Sequence, residues 1–238
     1  PAVGFVAAAV AWQLGFGLVV PGFLLLAGLV WVVVPNDVVD VRDTDLSHDL
    51  AREVFEALRT KTMFLVTVVL FFYILVWQSF TGFYPTYLHE VKGLSPAVAG
   101  TVFALFFAVG VVVKPVSGAA YDRFGMRASL LSVLVGPVLG LALLPFVEGL
   151  FVLVALTALV STMLGSGAIT QSYLAEEIPE DIRGTGLGVV RATAASLGAV
   201  GPVLFGLLAD GGYFDEGYLV LAGLMVLILA LTSTMSPS

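Results

Sequence analysis

Gly118-Ala-Ala-Tyr-Asp122-Arg123-Phe-Gly125-Met-Arg127 is the stretch on which the reading turns. Three charges and two glycines stand in ten residues, between apolar runs at Ala97 to Ala120 and Ser129 to Val147. Each run is long enough to cross a bilayer, because roughly 30 Å of hydrocarbon needs about 20 helical residues. The stretch is therefore read as a tight charged loop joining two membrane spans.

The rest of the chain fits that reading. Hydrophobic residues make up 59% of the sequence and charged ones 11%, against roughly a quarter charged in an average soluble domain. The mean hydropathy is +1.06. A water-soluble fold of this length cannot hide so much apolar surface, so lipid is the expected surrounding. Further runs lie near 14–34, 63–85, 150–174, 186–209 and 218–235. Continuous apolarity without alternation selects helices rather than barrel strands. Residues 1–11 read as the tail of one more helix, and the chain is expected to start inside a longer protein.

There is no cysteine, which removes disulfides, thiol catalysis and cysteine-based metal sites. The two histidines, His48 and His89, lack ligand spacing. No catalytic set, metal site or cofactor site is expected. The net charge of −7 sits in loops and argues against nucleic acid as a partner.

Lysine and arginine set the orientation. Arg42, Arg52, Arg59, Lys61, Arg123, Arg127 and Arg183 fall in alternate loops, and the opposite loops hold only Lys92. The positive-inside rule puts 35–62, 121–128 and 175–185 in the cytoplasm. Within 35–62, Leu46, Leu50, Val54 and Leu58 recur every four residues, as in an amphipathic helix.

Helix ends carry their own signals. Ser95-Pro96 reads as an N-cap followed by proline at the first helical position. Glu148-Gly149 is a short turn between two spans, and 210–217 reads as a polar hairpin.

Three local patterns resemble the major facilitator superfamily. One is Gly118, Asp122, Arg123, Gly125 and Arg127, like the loop between the second and third helix of each half. Another is Glu176-Glu-Ile-Pro179 followed by Arg183-Gly184-Thr185-Gly186-Leu-Gly188. The third is Gly93-Leu-Ser-Pro96-Ala-Val-Ala-Gly100. The resemblance implies an all-α membrane bundle. Residues 63–238 would be its complete second six-helix half, 35–62 the central cytoplasmic loop, and 1–34 the end of the first half.

It further implies a secondary transporter of a small solute, working by alternating access in a prokaryotic cytoplasmic membrane and coupled to a proton or counter-solute. The rest of the first half would be its partner. A channel or membrane-embedded scaffold is the rival reading. The same resemblance implies a gating role for Gly118, Asp122, Arg123, Gly125, Arg127, Arg183 and Gly184. On the residues alone, Gly118 and Gly125 are expected to permit close backbone approach, and Asp122 to pair with Arg123 or Arg127 or to accept from free amides.

Solute candidates are Trp77 and Gln78 in helix seven, Gln171 in helix ten and Arg191 in helix eleven. Ionisable groups inside spans mark functional positions, and a buried amide needs several partners. Thr162, Ser166 and Thr170 form a polar stripe for which helix packing is the favoured role.

Overall fold

The structure is a computed structural model and describes residues 12–33, 60–180 and 183–235. The expected tail of helix five and the amphipathic helix within 35–62 lie outside the described residues. In chain order the helices are α1 (Trp12–Val33), α2 (Lys61–Glu90), α3 (Pro96–Leu143), a 3-10 turn (Leu144–Phe146), α4 (Leu150–Ser161), α5 (Leu164–Glu177), α6 (Arg183–Gly198), α7 (Val200–Asp210) and α8 (Phe214–Ser233).

Five described helical stretches are long and apolar enough to cross a membrane. They are Lys61–Glu90, Pro96–Phe146, Leu150–Glu177, Arg183–Asp210 and Phe214–Ser233. The second has 51 residues, more than twice the need, and it reverses at Gly125. That residue has φ 75° and ψ 173°, a region essentially restricted to glycine. Ser117 and Val133, eight residues either side, both approach Gly165, so the two arms of α3 fold back on each other. The two apolar helical arms expected here are thus present, and the stretches comprise six segments of membrane-spanning length.

Helix ends are set by local chemistry. Thr60 Oγ1 accepts from the Met63 amide at 3.2 Å, which starts α2 two residues earlier than the apolar run. Ser95 Oγ accepts from the Val98 amide at 3.4 Å, with Pro96 opening α3, as expected. Pro85 does not end α2. In spanning helices neighbouring groups re-satisfy what a proline frees. At the far end the polar hairpin is shorter than 210–217, because α8 already begins at Phe214 with Asp215 and Glu216 in its first turn, where the helix dipole favours them.

Small residues decide how the helices pack. In lipid there is no hydrophobic drive between helices, so close approach supplies the attraction. A Cβ on Gly136 would stand 2.6 Å from the Leu159 carbonyl oxygen, and one on Gly140 2.6 Å from Val160 Cγ2. These contacts lock the second arm of α3 against α4. Thr162 Oγ1 adds a 2.8 Å bond to the Val133 carbonyl. Gly198 approaches Ile74, Gly201 approaches Leu75 and Ser79, and Gly206 approaches Phe83. Both partners rise in number together, so α2 runs parallel to α6 and α7. By contrast the stretch formed by α4 and α5 runs antiparallel to α2, with Tyr84 bonded to Thr157 on α4 and Tyr73 against Gly167 on α5.

The core at the end of the bundle that holds Gly149 is aromatic. Phe80 stacks on Tyr84 at 4.4 Å, and Tyr218 reaches Tyr84, Tyr87 and Phe205. The Tyr87 hydroxyl donates to Asp215 at 2.6 Å, and Lys92 Nζ donates to the Pro145 carbonyl at 3.0 Å. These bonds tie three connections together.

Candidate functional site

Two groups of expected residues lie at different depths. The first surrounds the reversal at Gly125. Asp122 and Arg123 occupy the last turn of the first arm of α3, and both are exposed. The guanidinium of Arg123 lies over the Phe124 ring at 5.3 Å. Arg127 has a buried Nε with no hydrogen-bond partner among the described residues. The expected pairing of Asp122 with Arg123 or Arg127 is not made among the described residues, where the ion pair present is Arg183 to Glu180 at 3.7 Å. The geometric reason is that Asp122 precedes the turn while Arg127 follows it, and Arg123 turns to an aromatic face instead.

The two motif glycines also act differently from expectation. Gly118 has open space around it, with nothing within 4 Å of a built Cβ, and Gly125 serves the backbone turn rather than close packing. Gly184 likewise faces open space. Close approach is carried by Gly136, Gly140, Gly198 and Gly201 instead.

What binds this end together is a contact the sequence reading missed. The Tyr121 hydroxyl donates to Glu176 Oε2 at 2.5 Å, fastening the α3 hairpin to the last turn of α5. Arg183 Nε donates to the Ile178 carbonyl at 3.4 Å, which braces the following connection. The available signal was a tyrosine beside the Asp-Arg pair and a Glu-Glu pair beside Pro179, but nothing in one dimension matches them.

The second group lies within the spans. Arg191 is on α6, eight residues past Arg183, or about 12 Å of helix rise. Its guanidinium donates to the side-chain oxygen of Gln171 on α5, so two of the four solute candidates meet. Gln78 on α2 donates from Nε2 to the Ala195 carbonyl at 3.4 Å. Ala195 is one helical turn beyond Arg191. The fourth candidate, Trp77, packs its half-buried ring against the core, and its Nε1 has no partner among the described residues.

Helix α6 meets the bundle along Gly186, Val190, Ala194 and Gly198, all buried, while Arg191, Ala192, Thr193, Ala195, Ser196 and Leu197 are exposed. The arginine and Gln171 therefore stand on a face left exposed among the described residues. The Ser/Thr stripe behaves as packing. Thr162 bonds to the Val133 and Leu159 carbonyls and Thr170 bonds back to the Ser166 carbonyl, while the buried Ser166 hydroxyl has no partner among the described residues. Between α4 and α5 the bonds tighten to three-residue spacing, from Thr162 N to Leu159 O through Ser166 N to Met163 O. An apolar hollow of about 420 Å³ between Leu131, Val135, Val226 and Leu229 holds none of the candidate residues.

Comparison with known proteins gives this arrangement its context. A protein named multidrug resistance protein MdtG from Rahnella sp. (strain Y9602) is 26% identical over 134 residues, covering 56% of this chain and 32% of the relative. The protein of the same name from Proteus mirabilis (strain HI4320) is 28% identical over 111 residues, covering 47% and 28%. That from Yersinia enterocolitica is 25% identical over 155 residues, covering 63% and 37%. The chain thus spans about a third of the length of the curated relatives it matches.

Among solved structures, the peptide transporter POT in complex with alafosfalin superposes with a TM-score of 0.62 at 20% identity. The match covers 79% of this chain and 42% of that one, a likeness of fold. The sequence profile of the Major Facilitator Superfamily matches residues 1–202 and again 93–237. Matched by that profile over more than half its length, and with described residues folded as a helical bundle of six membrane-length segments, the chain belongs to the Major Facilitator Superfamily.

Proposed function

We propose that this chain is part of a secondary carrier that moves a small solute across a prokaryotic cytoplasmic membrane by alternating access. Residues 63–238 act as its second half, 35–62 as the central loop and 1–34 as the end of the first half. A proton or counter-solute supplies the drive. The observation that carries the reading is the uncovered polar face of α5 and α6, where Gln171 and Arg191 meet at spanning depth. Sites in such carriers lie near the bilayer midplane between the two repeats. Gln78 and Trp77 lie on the neighbouring α2 and complete the proposed solute set.

The loops 35–62, 121–128 and 175–185 face the cytoplasm in this reading. Gly118, Asp122, Arg123, Gly125, Arg127, Arg183 and Gly184 form an inner latch that holds one state against the first half. The Tyr121–Glu176 bond supports this, because it makes the α3 hairpin and the end of α5 move as one piece.

Flux through the full-length protein in proteoliposomes tests the proposal. It is expected to saturate with solute and to follow an imposed pH or counter-solute gradient. Fast flux, linear in concentration, would mark a pore instead. For the latch, Asp122→Asn is expected to slow turnover about fivefold or more, the scale of a modest coupling free energy. Solute binding should stay within about twofold, since equal affinity for both states shifts neither. Unchanged turnover would remove Asp122 from the gate.

A further inference from the structure

We propose that Arg191 and Gln171 form an anion-binding subsite, and that the solute carries a carboxylate, phosphate or sulfonate group. The inference rests on the carrier reading and adds the charge class of what is carried.

A guanidinium has five N–H donors, no acceptor, and a charge that persists at any relevant pH. Its partner here is the neutral oxygen of Gln171. Accepting that bond uses the amide's acceptor side and leaves its NH₂ donors turned elsewhere. The pair therefore presents donors and a net positive charge, with no counter-charge of its own. An oxyanion is the complementary group, because a planar guanidinium fork binds two oxygens at once.

No carboxylate pairs with this charge among the described residues. Glu176 and Glu177 follow Gln171 on the same helix, but Glu176 accepts from Tyr121. Among the described residues Arg191 pairs with no carboxylate, and the ion pair present joins Arg183 and Glu180. An ionisable group at this depth is costly, and such groups mark substrate or ion pathways. The exposure of both side chains on the uncovered face leaves room for a ligand. A lipid headgroup carries the same oxyanion chemistry as a free solute, so the experiment must separate the two sources.

The test uses two probes of permanent and opposite charge and similar size, benzenesulfonate and benzyltrimethylammonium. Flux is measured with the full-length protein in proteoliposomes of phosphatidylcholine, with and without phosphatidylglycerol. Benzenesulfonate is expected to enter saturably. Arg191→Gln should reduce that flux at least tenfold, whereas Arg191→Lys, which keeps the charge, should retain a third or more. Gln171→Ala should raise the half-saturating concentration several-fold with the Arg191 charge intact. These two variants separate loss of the charge from loss of folded protein. Competitive loss of benzenesulfonate flux in phosphatidylglycerol vesicles, absent in Arg191→Gln, would make a headgroup the natural occupant of the same subsite.

Saturable flux of benzyltrimethylammonium, equal in the parent protein and Arg191→Gln, would overturn the anion assignment and leave the carrier reading standing. Saturable flux of neither probe would count against both.

Discussion

Gly136→Val is expected to be among the most damaging single changes in this bundle. A side chain there meets the Leu159 backbone carbonyl at 2.6 Å and the Thr162 hydroxyl. Neither can retreat cheaply. The carbonyl belongs to the helical backbone of α4, and the hydroxyl is held by its bond to the Val133 carbonyl at 2.8 Å. Overpacking of this kind costs about 1–3 kcal/mol in ordinary cores. Separating the second arm of α3 from α4 would also strip the close contacts that hold them in lipid. The melting midpoint of the full-length protein in detergent should fall by several degrees. Gly223→Ala, on a residue with open space around it, should leave the midpoint within about a degree. Equal shifts in the two variants would mean that close approach at Gly136 is not what holds these helices.

Gly125→Ala is expected to act on the backbone instead. At φ 75° and ψ 173° an alanine pays about 1–3 kcal/mol of conformational strain, and the reversal between the arms of α3 depends on that residue. The hairpin carries Tyr121 on one side and Arg127 on the other. A shifted turn should therefore loosen the Tyr121–Glu176 bond and the inner latch together. Transport should drop at least fivefold, and proteolysis near residue 125 should accelerate. Replacing Gly118, which has no neighbour within 4 Å of a built Cβ, serves as the contrast for proteolysis: its alanine variant should be cut near residue 125 no faster than the parent protein. Matching behaviour of the two variants would show that Gly125 is needed for something other than its dihedral angles.

The two glycines illustrate what a sequence discloses. The six apolar helical segments were legible because bilayer thickness imposes a length on every apolar run, and that length is a one-dimensional quantity. So were Ser95 as an N-cap and the turn at Gly149, where φ is 88°, since capping and turn chemistry are local. The start of α2 at Lys61 and of α8 at Phe214 lay outside the apolar runs because Thr60 and the Asp215–Glu216 pair extend the helices through polar residues.

Contacts between helices were a different matter. Arg191 and Gln171 were each recognisable as out of place in a span, but their meeting depends on the rotation of α6 against α5. Tyr121 and Glu176 are 55 residues apart, and neither is unusual at a helix end. Spacing leaves Asp122 either to pair with a flanking arginine or to accept from free amides, and among the described residues it forms no ion pair with Arg123 or Arg127.

These helices are expected to cross a membrane six times, with the arginine-bearing loops inside the cell. Because this stretch contains no cysteine, single cysteines can be placed at Glu148 and Glu180, both exposed, with any cysteine elsewhere in the full-length protein replaced. Labelling with a membrane-impermeant maleimide then reads the side directly. Glu148→Cys should react in intact cells, and Glu180→Cys only after the membrane is permeabilised. Labelling of both from outside, or of Glu180→Cys alone, would contradict the account.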